Sequence, residues 1–524
     1  MKSINYPRRK FLQYTAFGAL ATALPNMLLA ENPARNNKPS DTFNPDVEID
    51  LIAQVAEVAI FQGPKTRILQ YQGKLIKGPQ NTLKPLTGYL GPTLHFQQGQ
   101  KVRINFYNQL PEPCITHWHG MHVPQLMDGH PMYAIGRGER YVYEFEVKNP
   151  AGTNWYHSHT HELTGSQVYH GLAGLLIVSD EAERKLELPS NQYDLPIVIQ
   201  DRSFDGDNQF RFNLNRHNQM RGFLGDTIIV NGQGHDHIPV KSRAYRLRIL
   251  NGSNARIYKL GWNDGTPITA IATDGGLLAK PQILPYVMLA PAERVELWID
   301  FSGRKVGSEL ILQSLTYPAI HTMGRGMMGM MGGLGQNEVI DIVKFQITEQ
   351  ISDSPKLPSE LISMRRFTER DISKPDRTIP IAIGMRHMNF QLNGRIFAMQ
   401  NYSESEKVPL NSIQRIKIYH ETHEMGGGMR GGGMMGMMMS MAHPIHLHGQ
   451  QFQVLSRRQS GSDSSYDSVK EGFIDSGWKD TILVMPGEEI EILKPFNDYT
   501  GLFPYHCHIL EHEDMGMMRN FYVD

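Results

Sequence analysis

The chain has 524 residues, too many for one hydrophobic core, and at roughly 150 residues per domain it predicts about three domains. Forty per cent apolar residues suffice for globular cores, while 52 basic against 53 acidic residues leave a net charge of −1; with no basic stripe and no acidic tail, nucleic acid is excluded as a partner. The informative biases are 28 methionines and 22 histidines, set against only two cysteines, Cys114 and Cys507.

Residues 1–30 carry Arg8-Arg9-Lys10-Phe11-Leu12, followed by a mostly apolar run broken by Thr15, Gly18, Thr22, Pro25 and Asn26. The run is too short and too interrupted to span a membrane stably. Two arginines, one variable residue and Phe-Leu resemble a twin-arginine export signal, with a plain secretory signal as the alternative. The expected mature chain is exported, periplasmic in a Gram-negative cell, monomeric and without a membrane span.

After a polar linker over 31–45, short β-type runs alternate with Gly, Pro and Asn punctuation, as in Val102-Arg-Ile-Asn-Phe, Tyr141-Val-Tyr-Glu-Phe-Glu-Val, Tyr245-Arg-Leu-Arg-Ile-Leu and Ile413-Gln-Arg-Ile-Lys-Ile. Long amphipathic helices are hard to find, so the fold class is all-β, with antiparallel β-sandwiches expected over 46–182, 192–348 and 376–524 and a Pro-containing linker over 349–375. Two Gly/Met stretches, 322–335 and 425–441, break the pattern and look unable to form packed strands.

Four His-x-His pairs stand out: His117/His119, His157/His159, His446/His448 and His506/His508. Residues i and i+2 of a strand share a face, so each pair can present two imidazoles to one metal site. Chance explains one such pair easily and four of them poorly. Cys507 lies between His506 and His508 and therefore points to the opposite face, where a different metal must sit. Within reach of it are His443, His512 and Met517. Two imidazoles, a thiolate and a weak thioether make the ligand set of a blue-copper electron-transfer site. A Cys114–Cys507 disulfide is the competing reading, and the setting of Cys507 argues against it, leaving Cys114 as a small buried residue.

In these motifs, His-Trp-His-Gly, His-Ser-His, His-Pro-Ile-His-Leu-His-Gly and His-Cys-His, nearly the whole exported chain resembles the multicopper oxidase family. The resemblance implies three consecutive cupredoxin-like Greek-key domains and four coppers: one blue type 1 ion, one type 2 ion and a type 3 pair. It assigns His117 and His446 to the type 2 ion, and His119, His157, His159, His448, His506 and His508 to the pair. His443, Cys507, His512 and Met517 go to the type 1 ion. The middle segment holds no copper ligand, and its His235 and His237 are expected in a loop. Asp128 matches the family's acidic residue beside the mononuclear copper, and Glu513 the one on the route to the pair; both are expected to serve the four protons that dioxygen reduction needs.

Fold alone does not choose the reductant. Eight methionines, Met425, Met429, Met434, Met435, Met437, Met438, Met439 and Met441, immediately precede His443. Soft thioethers favour Cu(I) over hard divalent ions, so this stretch is expected to be a cuprous port. It resembles the Met-rich insertions of bacterial periplasmic copper-tolerance oxidases, although their main insertion lies earlier in the third domain. The expected partners are thus dioxygen and Cu(I) or another small reductant. Nearby His420, Glu421, His423 and Glu424 can add harder ligands and keep a ferroxidase open. A phenol-oxidising laccase and a Cu(I)-sequestering protein without turnover are the remaining alternatives.

Overall fold

The computed structural model describes residues 37–86, 88–234, 237–317, 338–386, 389–420, 441–460 and 464–524. The expected export signal at 1–30, the Gly/Met stretch at 322–335, His235, and residues 421–440, with seven of the eight methionines of the expected cuprous port, lie outside them.

Alternating patterns become half-buried strands. In the strand Val47–Val58, Val47, Ile49, Leu51 and Ala53 are buried, while the residues between them stay partly exposed. The strand Ala244–Asn251 is buried on both faces, and its Arg246 and Arg248 are tolerated because Glu296, Glu183 and Asp194 pair with them.

Among the described residues, six sheets form three pairs around three main cores. The first pair orders Thr66–Lys77, Val47–Val58, Lys101–Asn108, Arg140–Glu146 against Leu83–Lys84, Thr93–Gln97, Ala173–Ser179, Gly152–Ser158, Thr116–His117. The third pair repeats the plan, with Thr378–Arg386 beside Ser412–His420 in one sheet and Met518–Val523, Gly501–Cys507, His443–Leu447 and Thr481–Val484 adjacent in the other.

The sheets are mixed, which corrects the antiparallel expectation. Val47–Val58 runs parallel to Lys101–Asn108, Asp194–Arg202 to Ala244–Asn251, and Thr378–Arg386 to Ser412–His420. In each case the intervening chain crosses to the facing sheet before returning, and that crossover reverses the sense of pairing. His237 is also corrected: itself exposed, it begins the strand His237–Lys241, with Nε2 3.8 Å from Glu309.

The described parts of both stretches read as linkers, 37–45 and 349–375, lie against the sandwiches. Asn37 Nδ2 donates to the Val142 carbonyl at 3.0 Å, and Arg103 to that of Phe43 at 2.8 Å. Further on, Arg366 donates to the Val454 carbonyl at 2.8 Å, and Phe367 meets Trp478 edge-on at 5.3 Å.

Candidate metal centre

Strand register gathers the histidines. His117 pairs across from His157 on adjacent antiparallel strands, and at the other end of the sequence His446 pairs across from His506. All four pairs meet where the first and third sandwiches abut, and each of the eight imidazoles is at most 1% exposed.

Three groupings emerge. His119 Nδ1 lies 3.4 Å from His157 Nε2, and the His508 ring stands 5.2 and 5.3 Å from these two rings. His506 Nε2 lies 3.1 Å from His448 Nε2 and 3.3 Å from His159 Nε2. His117 and His446 stand between these sets, their rings 5.6 Å apart, and share a potential ligand group with His448.

The donor set of these rings fits copper. His117 Nε2, His446 Nε2 and both nitrogens of His508 are buried without a hydrogen-bond partner. Burial is the largest cause holding His117, His119, His159, His448 and His508 well below the ordinary imidazole pKa, and it brings His157 down to about 3. Neutral imidazoles whose lone pairs converge in a dry site leave several buried acceptors unpaired, a cost that a bound soft-to-borderline metal removes.

On the far face of the same strand, Cys507 Sγ lies 3.5 Å from His443 Nδ1 and 3.7 Å from His512 Nδ1. Met517, fully buried, is brought to this side by its carbonyl, which accepts from Cys507 N at 3.1 Å. The Ile509 amide donates to Cys507 Sγ at 3.4 Å. Burial pushes the Cys507 thiol above its ordinary value, so a thiolate here needs a metal. Cys114 is free and buried, its Sγ 3.9 Å from Ser158 Oγ, and no disulfide links it to Cys507.

Carboxylates fix the rings from behind. Asp128 Oδ2 accepts from His448 Nδ1 at 2.7 Å, while the Asp128 carbonyl accepts from His117 Nδ1 at 2.6 Å. Burial raises the Asp128 carboxyl well above the usual range. Glu513 Oε2 lies 3.1 Å from His506 Nδ1, and its Oε1 3.8 Å from His159 Nδ1. Burial alone would raise this acid, but the His506 and His159 imidazoles outweigh it and bring it to about 2.

Sequence reasoning missed Asp480, whose Oδ1 lies 3.1 Å from His119 Nε2 and whose carbonyl accepts from His446 Nδ1 at 2.9 Å. An aspartate 34 residues beyond His446 carries no motif that flags it. It also missed Met220 of the middle segment, whose carbonyl accepts from His512 Nε2 at 3.0 Å. His420 Nε2 donates to the Met441 carbonyl at 3.2 Å, and the His420 ring stands 5.5 Å from that of His443.

Profiles described as multicopper oxidase match residues 77–183 and 375–524. The chain is 32% identical over 471 residues to a multicopper oxidase, mco, of Staphylococcus aureus, covering 89% of this chain and 86% of the relative. It is 30% identical over 512 residues to a laccase of Bacillus stratosphericus, covering 87% and 90% of the two chains. The McoA multicopper oxidase of Aquifex aeolicus superposes with a TM-score of 0.75 at 30% identity, over 92% of this chain and 97% of that one. A Campylobacter jejuni multicopper oxidase described as a metallo-oxidase does so with a TM-score of 0.71 at 26% identity, over 91% of each.

Proposed function

The chain belongs to the multicopper oxidase family, oxidoreductases that hold four coppers, and from that premise we propose that it oxidises Cu(I) to Cu(II) at the expense of dioxygen and serves copper tolerance. The balanced reaction takes four cuprous ions, four protons and one dioxygen to four cupric ions and two waters.

In this reading the chain is divided as its sequence suggests, into cupredoxin-like domains over 46–182, 192–348 and 376–524. His443, Cys507, His512 and Met517 hold the electron-entry copper, and His117 with His446 the mononuclear cluster ion. His119, His157 and His508 hold one ion of the pair, and His159, His448 and His506 the other. Bound copper supplies one-electron transfer and dioxygen binding. Everything else falls to the chain. Cys507 is the covalent bridge, since its backbone continues directly into both His506 and His508. Asp128 Oδ2 keeps the His448 proton on Nδ1, so that Nε2 faces the cluster; for His506 the Cys507 carbonyl accepts from Nδ1 at 3.0 Å, with Glu513 Oε2 3.1 Å from the same nitrogen. In this reading the carboxylates of Asp128 and Glu513 pass protons inward.

The observation that carries the choice of Cu(I) is where the Met-rich stretch is rooted. The described residues that flank it, His420 and Met441, are hydrogen-bonded to each other, and the His420 ring stands 5.5 Å from that of His443, the electron-entry ligand in this reading. A thioether-rich segment anchored there delivers soft cations to that copper. The likeness to a protein described as a metallo-oxidase supports a metal reductant, and the likeness to a laccase keeps a phenol as the second reading. Export through the twin-arginine route and a monomeric state complete the proposal. Among the described residues no helix is long and apolar enough to cross a membrane.

The test is oxygen consumption by copper-loaded protein given Cu(I), Fe(II) or a phenol, comparing the intact chain with one lacking residues 425–440. Collapse of Cu(I) turnover alone supports the cuprous port. Unchanged Cu(I) turnover overturns it, and a chain that binds Cu(I) without consuming oxygen is a sequestering protein instead.

A further inference from the structure

We propose that Arg294, contributed by the middle segment that holds no copper ligand, is a positioning residue for the cluster imidazole His119, acting through Asp480. The inference rests on the assignment of His119 to the copper pair made above.

Arg294 begins the strand Arg294–Asp300 and is 1% exposed. Its NH1 donates to Asp480 Oδ1 at 2.7 Å and its NH2 to Asp480 Oδ2 at 2.5 Å. The remaining donors reach the carbonyls of Thr153 at 2.9 Å, Ala292 at 3.0 Å and Asp274 at 3.0 Å. All five guanidinium N–H groups are thereby used, and one side chain ties together the first, middle and third sandwiches. A lysine has no fork to match and would hold Asp480 at a single point.

Asp480 passes this constraint on. With Oδ1 accepting from His119 Nε2–H, the ring must present Nδ1, the nitrogen 3.4 Å from His157 Nε2. The Asp480 carbonyl also takes the Nδ1 proton of His446, so one residue orients rings from both ends of the chain. The turn after His119 is built to receive the ion pair. Gly120 has φ +91°, and a Cβ there would lie 2.4 Å from Asn154 Oδ1, 2.6 Å from Arg294 NH2 and 3.0 Å from Asp480 Oδ2.

If the fork and the copper pair share His119 in this way, copper uptake and docking of the middle segment stabilise one another reciprocally. The experiment compares wild type with Arg294→Lys and Asp480→Asn as copper-loaded full chains. Arg248→Met is the control, since Arg248 makes an equally buried cluster of ion pairs with Glu296, Asp194 and Glu183. Readouts are copper per chain, the thiolate-to-copper blue band, the near-ultraviolet band and paramagnetic signals of the cluster, and the rise in unfolding temperature on copper loading. Expected in both test variants is an intact blue band with a weakened or uncoupled cluster signature, cluster affinity lower by about 10- to 100-fold, and a smaller copper-induced rise; Arg248→Met keeps the wild-type pattern. Wild-type cluster spectra in both test variants overturn the inference, as does an equal loss in Arg248→Met, which makes Arg294 a docking contact only. A wild-type protein lacking the coupled-pair signature overturns the cluster assignment itself, and this inference with it.

Discussion

His446 stands directly opposite His506 across two antiparallel strands, and the neighbouring pair in the register is Ile445 with Cys507. Because strand side chains alternate faces, one step of register separates the side of the eight histidines from the side of Cys507, the proposed electron-entry side. Cys507→Ser is therefore expected to act on one face only: loss of the blue band and of one copper in four, cluster paramagnetic signals retained, and turnover abolished because electrons no longer enter. Loss of the cluster signals together with the blue band would show that the two faces are not independent.

Asp128 touches two rings through different atoms, its carboxylate on His448 and its carbonyl on His117. Asp128→Asn keeps the carbonyl and an acceptor oxygen but cannot carry a proton inward. The expected result is near-normal copper content with kcat lower by about 10²- to 10⁴-fold, the range for a lost acid–base group. Asp128→Ala also frees the His448 ring, and copper should fall together with activity. Equal copper loss in both variants would mean that Asp128 only orients the ligand.

The convergence of eight histidines could be read from the sequence because His-x-His writes a shared strand face directly into the residue order. The mixed sheets could not, since pairing direction depends on which sheet the chain visits between two strands. Asp480 and Arg294 were illegible for another reason: they meet across 186 positions, and neither sits in a spacing pattern that marks it. Met220 acts through a main-chain carbonyl, which every residue has, so no side-chain pattern can announce it.

His122 offers a pH dependence away from the copper ligands. Its Nε2 lies 2.9 Å from Asp498 Oδ2, joining the first sandwich to the third, and Lys148 Nζ bonds the other carboxylate oxygen at 2.9 Å. Burial lowers the His122 pKa from 6.5 to about 4, although Asp498 pulls it upward. Between those values the unfolded chain binds a proton that the folded chain does not. Stability contributed above pH 6.5 is thus lost as the pH falls towards 4, by up to about 3 kcal/mol. His122→Gln should flatten the decline of the urea midpoint over this window, and an unchanged slope would remove His122 from the account.

The cover over His512 comes from the middle sandwich. The short helix Arg216–Arg221 is capped by Asn215, whose side chain accepts from Asn218 N at 2.9 Å, and it ends at Gly222 with φ +81°. A Cβ at Gly222 would lie 2.3 Å from Ala255 Cβ and 2.9 Å from Ile509 Cγ2. With ψ 151° as well, this backbone conformation is essentially glycine-only and costs a side chain about 1–3 kcal/mol, and the overlap cannot be relieved without moving the segment that carries the Met220 carbonyl. Gly222→Ala should therefore loosen the bond to His512 Nε2, uncover the ring and shift the blue band. A bulky phenol, which needs access to that ring edge, gains turnover, whereas Cu(I) delivered beside His443 does not. The ratio of phenol to Cu(I) kcat/KM should rise several-fold; a folded variant with an unchanged ratio would show that electrons from phenols reach the copper by a route that never passes the His512 edge.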